Sequence, residues 1–372
     1  MMMAFLRRLA PLALLLAACS EPKAALTVLD QPEAVLGRSF AQVSNVVEIG
    51  PNQVALAELK DRTFLFADFA TGTATPVGQH ADSIKPLDPA PGQHKYPGYV
   101  LNLGPDTLGL VDFAAERTTI WTTAGAYVGI MPGRGIGGNN QPLVYDGKHN
   151  GYKEDVRGVL GGLEPGQEVN FDSLPVLRVI AGDTVADTVA RLKLPVWGRG
   201  QFGEQMKIVS TIFSGRDLFG VLPDGSLWAA RANDNRVDWR SPAGEWSQGP
   251  KRSYTTIPVE QAEKDMFLNR LRQQMASMGA PAGIELSYPF ADGKPPFSSG
   301  ATNSYTSEVW LQRSRAFADS IPVYDVVGRD GKAVRAVQLP KGATLAGFGA
   351  EGRVYVLLRQ GDAQQVVRYV VK

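Results

Sequence analysis

The sequence has one cysteine, Cys19, only three histidines, and almost no net charge, +1 at pH 7 over 372 residues. A single thiol excludes an internal disulfide, a thiolate-held iron–sulfur cluster and a cysteine-rich zinc site. The fold must therefore be held by its core, which a chain of this length can supply. His80, His94 and His149 show neither the i, i+2 nor the i, i+4 spacing of a zinc motif, and H-E-x-x-H is missing. G-x-S-x-G is also missing, which removes support for a serine hydrolase of that type. Without a basic excess to track a phosphate backbone, nucleic acid is not an expected partner. The apolar run Leu9–Ala18 has ten residues. As a helix it would rise about 15 Å, half of a bilayer core, too short for a permanent span.

That run has a different use. Arg7 and Arg8 precede it as a positive region, and Leu16-Ala17-Ala18-Cys19 follows as its end. The pattern resembles a bacterial lipobox, in which the Cys thiol takes a diacylglycerol and becomes the new N-terminus. Residues 1–18 are then a signal peptide, 19–25 a lipidated linker and 26–372 the folded body. Each buried methylene contributes about 0.8 kcal/mol, so two or three palmitate-like chains give stable anchoring where one would not. Ser20, not Asp, follows the cysteine, so the expected destination is the outer membrane, in the cell envelope. Removing Arg7 and Arg8 leaves 36 basic against 37 acidic residues, a body of charge −1.

The body is repetitive. Short β-rich runs lead into turn glycines: Phe64–Phe69 into Gly72, Thr118–Thr122 into Gly125, Val176–Ile180 into Gly182, Arg236–Trp239 into Gly244, and Pro322–Val327 into Gly331. Successive glycines are 53, 57, 62 and 87 residues apart. Earlier turns recur at Pro51-Asn52, Pro105-Asp106 and Pro223-Asp224-Gly225, each followed by a further run. One unit is thus a four-stranded antiparallel sheet, the size of a propeller blade. The expected fold is all-β, a six-bladed β-propeller; seven blades fit if the Gly-rich stretch 133–167 hides one more. The last unit, with runs at Thr344–Phe348, Arg353–Arg359 and Gln364–Val371, is one strand short. Leu26–Leu29 or Glu33–Leu36 is expected to complete it and remove a free sheet edge. Between the fourth and fifth units, Phe267, Leu271, Met275 and Met278 recur at helical spacing, flanked by Glu260, Glu263, Lys264, Arg270 and Arg272. Pro258 suits the first turn and Gly279 the stop, so an inserted amphipathic helix is expected over about 258–278.

Asp217–Trp228, Arg236–Gly244, Pro289-Phe290, Val309–Arg313, Tyr324–Val327 and Val367–Val370 carry a family resemblance. The chain resembles the six-bladed β-propeller lipoproteins, distant relatives of NHL-type and TolB-like propellers. The resemblance implies the fold and little about function.

Candidate chemistry is sparse. Gly133-x-Gly135-x-x-Gly138 matches a dinucleotide pattern, but Asn139-Asn140-Gln141-Pro142 opposes the helix that must follow, so no nucleotide is expected. Asn233-Asp234-Asn235 with Asp238 offers oxygen ligands in a pattern that a turn also requires. The three histidines read as solvated loop residues, and no metal ligands are assigned. Asp146, Glu154 and Asp155 are carboxylates that only folding could pair. Trp121, Trp228, Trp239 and Trp310 read as core between sheets. Tyr145, Tyr152, Trp197 and Arg199 lie in irregular connections and are the expected ligand contacts. The expected function is a non-catalytic binding or scaffolding module, with no cofactor, for a protein or glycan at the membrane surface. A second reading is a lactonase-like hydrolase using Ca²⁺ or Zn²⁺ at the central channel. A third is an assembly factor that adds a client strand to a sheet edge.

Overall fold

The computed structural model describes residues 25–85, 88–131, 144–155, 173–181, 186–279 and 283–371. The expected signal peptide, Cys19, the glycine motif at 133–138 and the turn at Gly182 lie outside the described residues.

Strands dominate. Sheet I contains Val43–Gly50, Gln53–Glu58, Thr63–Asp68 and Ala74–Pro76, hydrogen-bonded in that order. Sheet II contains Pro97–Gly104, Thr107–Asp112, Arg117–Thr122 and Tyr127–Ile130. Sheet III contains Val144–Tyr145, Gly151–Glu154, Ser173–Val179 and Ala186–Lys193. Sheet IV contains Leu218–Val221, Leu227–Arg231, Arg236–Arg240 and Trp246–Ser247. Sheet V contains Phe297–Asn303, Glu308–Arg313, Val323–Val327 and Ala333–Gln338. Sheet VI contains Thr344–Phe348, Arg353–Gln360 and Ala363–Val370. Each is an antiparallel meander, and its second strand is apolar on both faces because another sheet covers each side. Val54–Ala57, Leu227–Ala230 and Val354–Leu357 are buried without interruption.

The sheets stack through their faces, as in a β-propeller. Phe64 of sheet I meets Trp121 of sheet II edge-on at 5.7 Å. The Tyr145 hydroxyl lies 3.4 Å from that of Thr118, joining sheets II and III. Tyr152 and Val176 share a cluster with Val221 and Leu227, joining III and IV. Trp228 donates Nε1–H to Thr302 (2.9 Å) and Trp239 donates to the Gly328 carbonyl (3.0 Å), joining IV and V. Trp310 meets Phe348 at 5.1 Å, joining V and VI. The four strand tryptophans, at most 5% exposed, are thus the inter-sheet core expected of them.

The N-terminal segment completes sheet VI. Ala34–Phe40 pairs antiparallel with Ala363–Val370 as its fourth strand, so the Glu33–Leu36 alternative holds. Leu26–Val28 instead adds to sheet V, parallel to Ala336–Gln338. The chain then passes through Ala41 and Gln42 directly into sheet I.

Two insertions flank sheet IV. The hairpin Trp197–Phe202 and Gln205–Ser210 precedes it, and residues 248–296 follow it. They join where Phe202 pairs with Leu286 and Ile212 bridges to Phe290. The second insertion carries the helix α1, Gln261–Ser277, shorter than expected at its start. Pro258 is not in its first turn but in a two-residue strand paired with Gly293. Glu260 caps the helix instead, in a reciprocal capping box with Glu263. The apolar stripe is weaker than its spacing suggested: Phe267, Leu271 and Met275 are half-buried, and Met278 is 70% exposed. Phe267 anchors it against Tyr288 and Phe290 at 5.3 and 5.7 Å.

Candidate functional site

In a four-stranded meander the first strand begins, and the last strand ends, at the same end of the sheet. The connections between sheets therefore gather there, together with each turn between second and third strands. Buried carboxylates secure this end. Glu58 accepts the Ala41 N–H (2.5 Å). Asp112 accepts Lys95 N–H (2.7 Å) and Tyr96 N–H (2.9 Å). Asp217 accepts Lys193 N–H and Ala232 N–H, both at 3.0 Å, and pairs with Arg231 (2.9 Å).

At sheet V a lysine occupies this region. Lys294, with its side chain 7% exposed, pairs with Glu263 of α1 at 2.6 Å and donates to the Arg315 carbonyl. Its ammonium lies 5.7 Å from the centre of the Phe213 ring. Around this pair the insertions and the turn after Arg313 enclose a cleft of about 390 Å³. Four cations line it, Arg216, Lys294, Arg313 and Arg315, against two carboxylates, Glu263 and Asp319. Phe213 and Phe317 give it apolar walls, and Ser214, Ser298 and Ser314 supply hydroxyls. Arg216 pairs with Glu154 at 3.3 Å and Arg313 with Asp325 at 2.7 Å, yet both guanidinium groups stay about half exposed. Arg315 makes no side-chain hydrogen bond or ion pair among the described residues. Such a lining suits an oxyanion beside an apolar group.

The cleft wall is strained. Phe213 has φ of +64°, a region that costs a bulky residue on the order of 1–3 kcal/mol. Its surroundings impose that conformation. Ile212 N–H donates to Pro289 O (2.9 Å), Ala291 N–H to Ile212 O (3.0 Å), and the Ser214 hydroxyl to Thr211 O (2.8 Å).

The expected contact residues are placed elsewhere. Tyr145 and Tyr152 lie on neighbouring strands of sheet III. Tyr152 is 2% exposed, its hydroxyl donating to Asp146 at 3.0 Å; burial first, then the Asp146 charge, raises its pKa. Tyr145 is half-buried beside Leu103 and Ile120, and burial raises its pKa as well. Trp197 and Arg199 lie on the inserted hairpin, Arg199 exposed and the Trp197 Nε1–H buried with no acceptor among the described residues. None of the four lines the cleft. Asp146 is occupied by its own turn, accepting Lys148 and Asn150 N–H, both at 2.9 Å. Asp234 and Asp238 are neutralised by Arg231, Arg236 and Lys251, so that segment is a turn. The histidines depart most from expectation. His80 and His94 share one connection, between sheets I and II, and His94 is 2% exposed. Only His149 sits apart, in the first turn of sheet III.

Asn45, Asn102, Thr302, Tyr305 and Gly347, from the first strands and turns of sheets I, II, V and VI, line a cavity of about 240 Å³ where these strands meet. The Asn45 amide clamps Val100, donating to its carbonyl (2.7 Å) and accepting its N–H (3.0 Å), and Asn102 accepts Gly104 N–H. The Asn45 and Asn102 side-chain oxygens there each accept a backbone N–H. Among the described residues no three histidine or carboxylate side chains form a metal-holding group.

No protein-family model matches the chain, and no curated protein matches it. Among solved structures the outline is similar to the calcium-binding protein regucalcin of Agrobacterium tumefaciens, at 12% identity, 92% of this chain, 95% of that chain and a TM-score of 0.40. It is also similar to a gluconolactonase of Xanthomonas campestris, at 11% identity, 94% and 98% coverage and a TM-score of 0.39. An exported protein of Bacteroides fragilis is similar at 10% identity, 94% and 99% coverage and a TM-score of 0.45. These are likenesses of outline, and no chemistry is transferred from them.

Proposed function

We propose that this chain is an exported, lipid-anchored binding module, a closed ring of six blades that takes an anionic group of a protein or glycan in the cleft beside sheet V. The observation that carries the binding reading is the cleft itself. Two insertions from opposite sides of sheet IV converge to build it, hold Phe213 in a strained conformation, and leave Arg315 without a counter-ion among the described residues. A fold needing only stability would not require that arrangement.

Cys19 is the proposed acylation site and the outer membrane the proposed location. No helix among the described residues is long and apolar enough to cross a membrane. Ala25 already accepts a hydrogen bond from Ala336 N–H at 2.8 Å. The linker to Cys19 is therefore short, and at about 3.3–3.6 Å per extended residue the edge of sheet V would sit within roughly 20 Å of the bilayer surface. Labelled palmitate is expected in the wild-type protein, which should fractionate with membranes. The Cys19→Ser variant should carry no label; equal labelling of both would remove the anchor.

The binding reading is tested on chain 20–372 with three probes: inorganic phosphate, a uronate oligosaccharide and an acidic peptide. At least one is expected to bind, more weakly as salt rises, and at least tenfold more weakly to Arg315→Ala combined with Arg216→Ala. Unchanged affinity in that variant, or no binding of any probe, contradicts the reading.

A further inference from the structure

His80 and His94 are register partners in a short parallel pair, Gln79–His80 with Gln93–His94. Register partners project to the same side of a strand pair, and the two imidazole centres are 6.3 Å apart. Their protonation is set by neighbours. His80 Nε2 faces Asp82 Oδ1 at 3.2 Å, and a carboxylate only accepts, so Nε2 carries the proton and Nδ1 the lone pair. The Arg62 backbone lies beside the His94 ring. The His94 Nδ1 is buried without a partner among the described residues. His80 thus holds a carboxylate oxygen with one nitrogen, and among the described residues the Nδ1 of neither ring has a hydrogen-bond partner. Metal-ligating histidines are oriented in this way, by a carboxylate or carbonyl on the far nitrogen.

The connection is fixed before any ligand arrives. Arg117, 2% exposed, donates to the carbonyls of Asp88, Pro89 (2.5 Å) and Gln93 (2.7 Å) and ties the segment to sheet II. Asp112 and Arg117 bear on His94, while Arg62 and Asp82 flank His80, so the surrounding charge is balanced. The 6.3 Å separation matches two imidazoles bonded trans to one ion at about 2.0–2.1 Å, as in a square-planar copper or nickel centre, and a tetrahedral zinc would draw the rings about 1 Å closer.

We propose that His80 and His94 form a transition-metal site, taking one ion of the zinc, copper or nickel kind through both Nδ1 atoms, with water completing the shell. Two imidazoles and no carboxylate cage favour these ions over calcium or magnesium. The site has two protein ligands, so it exchanges its metal readily. It is independent of the cationic cleft.

Zinc sulfate and copper sulfate are titrated calorimetrically into chain 20–372, and the copper complex is examined by electron paramagnetic resonance. One ion per chain is expected, with hyperfine structure from two nitrogens. His80→Ala, at a partly exposed position where folding is not at issue, should weaken binding at least tenfold. Asp82→Asn should weaken it about 10-fold or more through loss of orientation. His149→Ala should change nothing. No stoichiometric binding, or His80→Ala binding like the wild type, overturns the proposal.

Discussion

Single residues decide several energies in this molecule. Lys294 and Glu263 are a buried pair with both side chains 7% exposed. Lys294→Met would leave the Glu263 carboxylate uncompensated, and a loss of about 3–5 kcal/mol in urea unfolding is expected. Asn45 joins sheets I and II by accepting from and donating to one residue, Val100. Asn45→Ala leaves both backbone groups unmet, and about 2 kcal/mol should be lost. His94 makes stability depend on pH. Burial first, with His80 and Arg117 assisting, lowers its pKa to about 4 although Asp112 opposes. The unfolded chain, with an ordinary value near 6.5, binds more protons between these limits, so stability rises with pH across that window. It should be complete above pH 6.5 and fall by on the order of 3 kcal/mol as pH drops to 4. Denaturant midpoints measured from pH 4 to 7 should show this slope in the wild type and a flatter one in His94→Gln. None of this is written locally in the sequence. His94 between Gln93 and Lys95 reads as solvated, and it is buried because Arg117, 23 residues later, pins the connection over it.

Elements were far more legible. Turn glycines and apolar runs mark the central strands, since residues covered on both faces are continuous in sequence. Gly125 and Gly331 adopt φ of +86° and +75°, as tight turns require. Edges were less legible. Leu26–Val28 and Ala34–Phe40 are both short apolar runs, and only pairing distinguishes a fifth parallel strand from the strand that completes a sheet. Their losses should differ in consequence. A chain beginning at residue 30 should still unfold cooperatively, while one beginning at residue 43 should lose cooperativity by circular dichroism. The helix was legible in its existence but not its start, because Pro258 is equally at home in an edge strand and Glu260 with Glu263 departs from the Ser/Thr-x-x-Glu form of a capping box. The cleft was not legible at all. Its lining comes from residues 213 to 319, and no local spacing relates Arg216 to Lys294 or Arg315. The aromatic candidates Tyr145 and Tyr152 sit in short strands that their irregular flanks concealed.

At the scale of the whole molecule, the junction between sheets VI and I holds head to tail. Glu48 of sheet I accepts the Tyr355 hydroxyl (2.6 Å), Ala350 N–H (3.0 Å) and Arg353 (3.3 Å) from sheet VI. Gln364 accepts Val43 N–H at 2.7 Å. The final sheet thereby takes its outer strand from the start of the body. Ser39 and Gln365 are Cα partners across that closing pair. The most direct measurement is therefore oxidation of a Ser39→Cys, Gln365→Cys chain in which Cys19 is replaced by serine. A crosslink across 326 residues, formed in the folded protein and absent in urea, is the predicted result. Two persistently free thiols in a protein that otherwise folds as the wild type would contradict the closure.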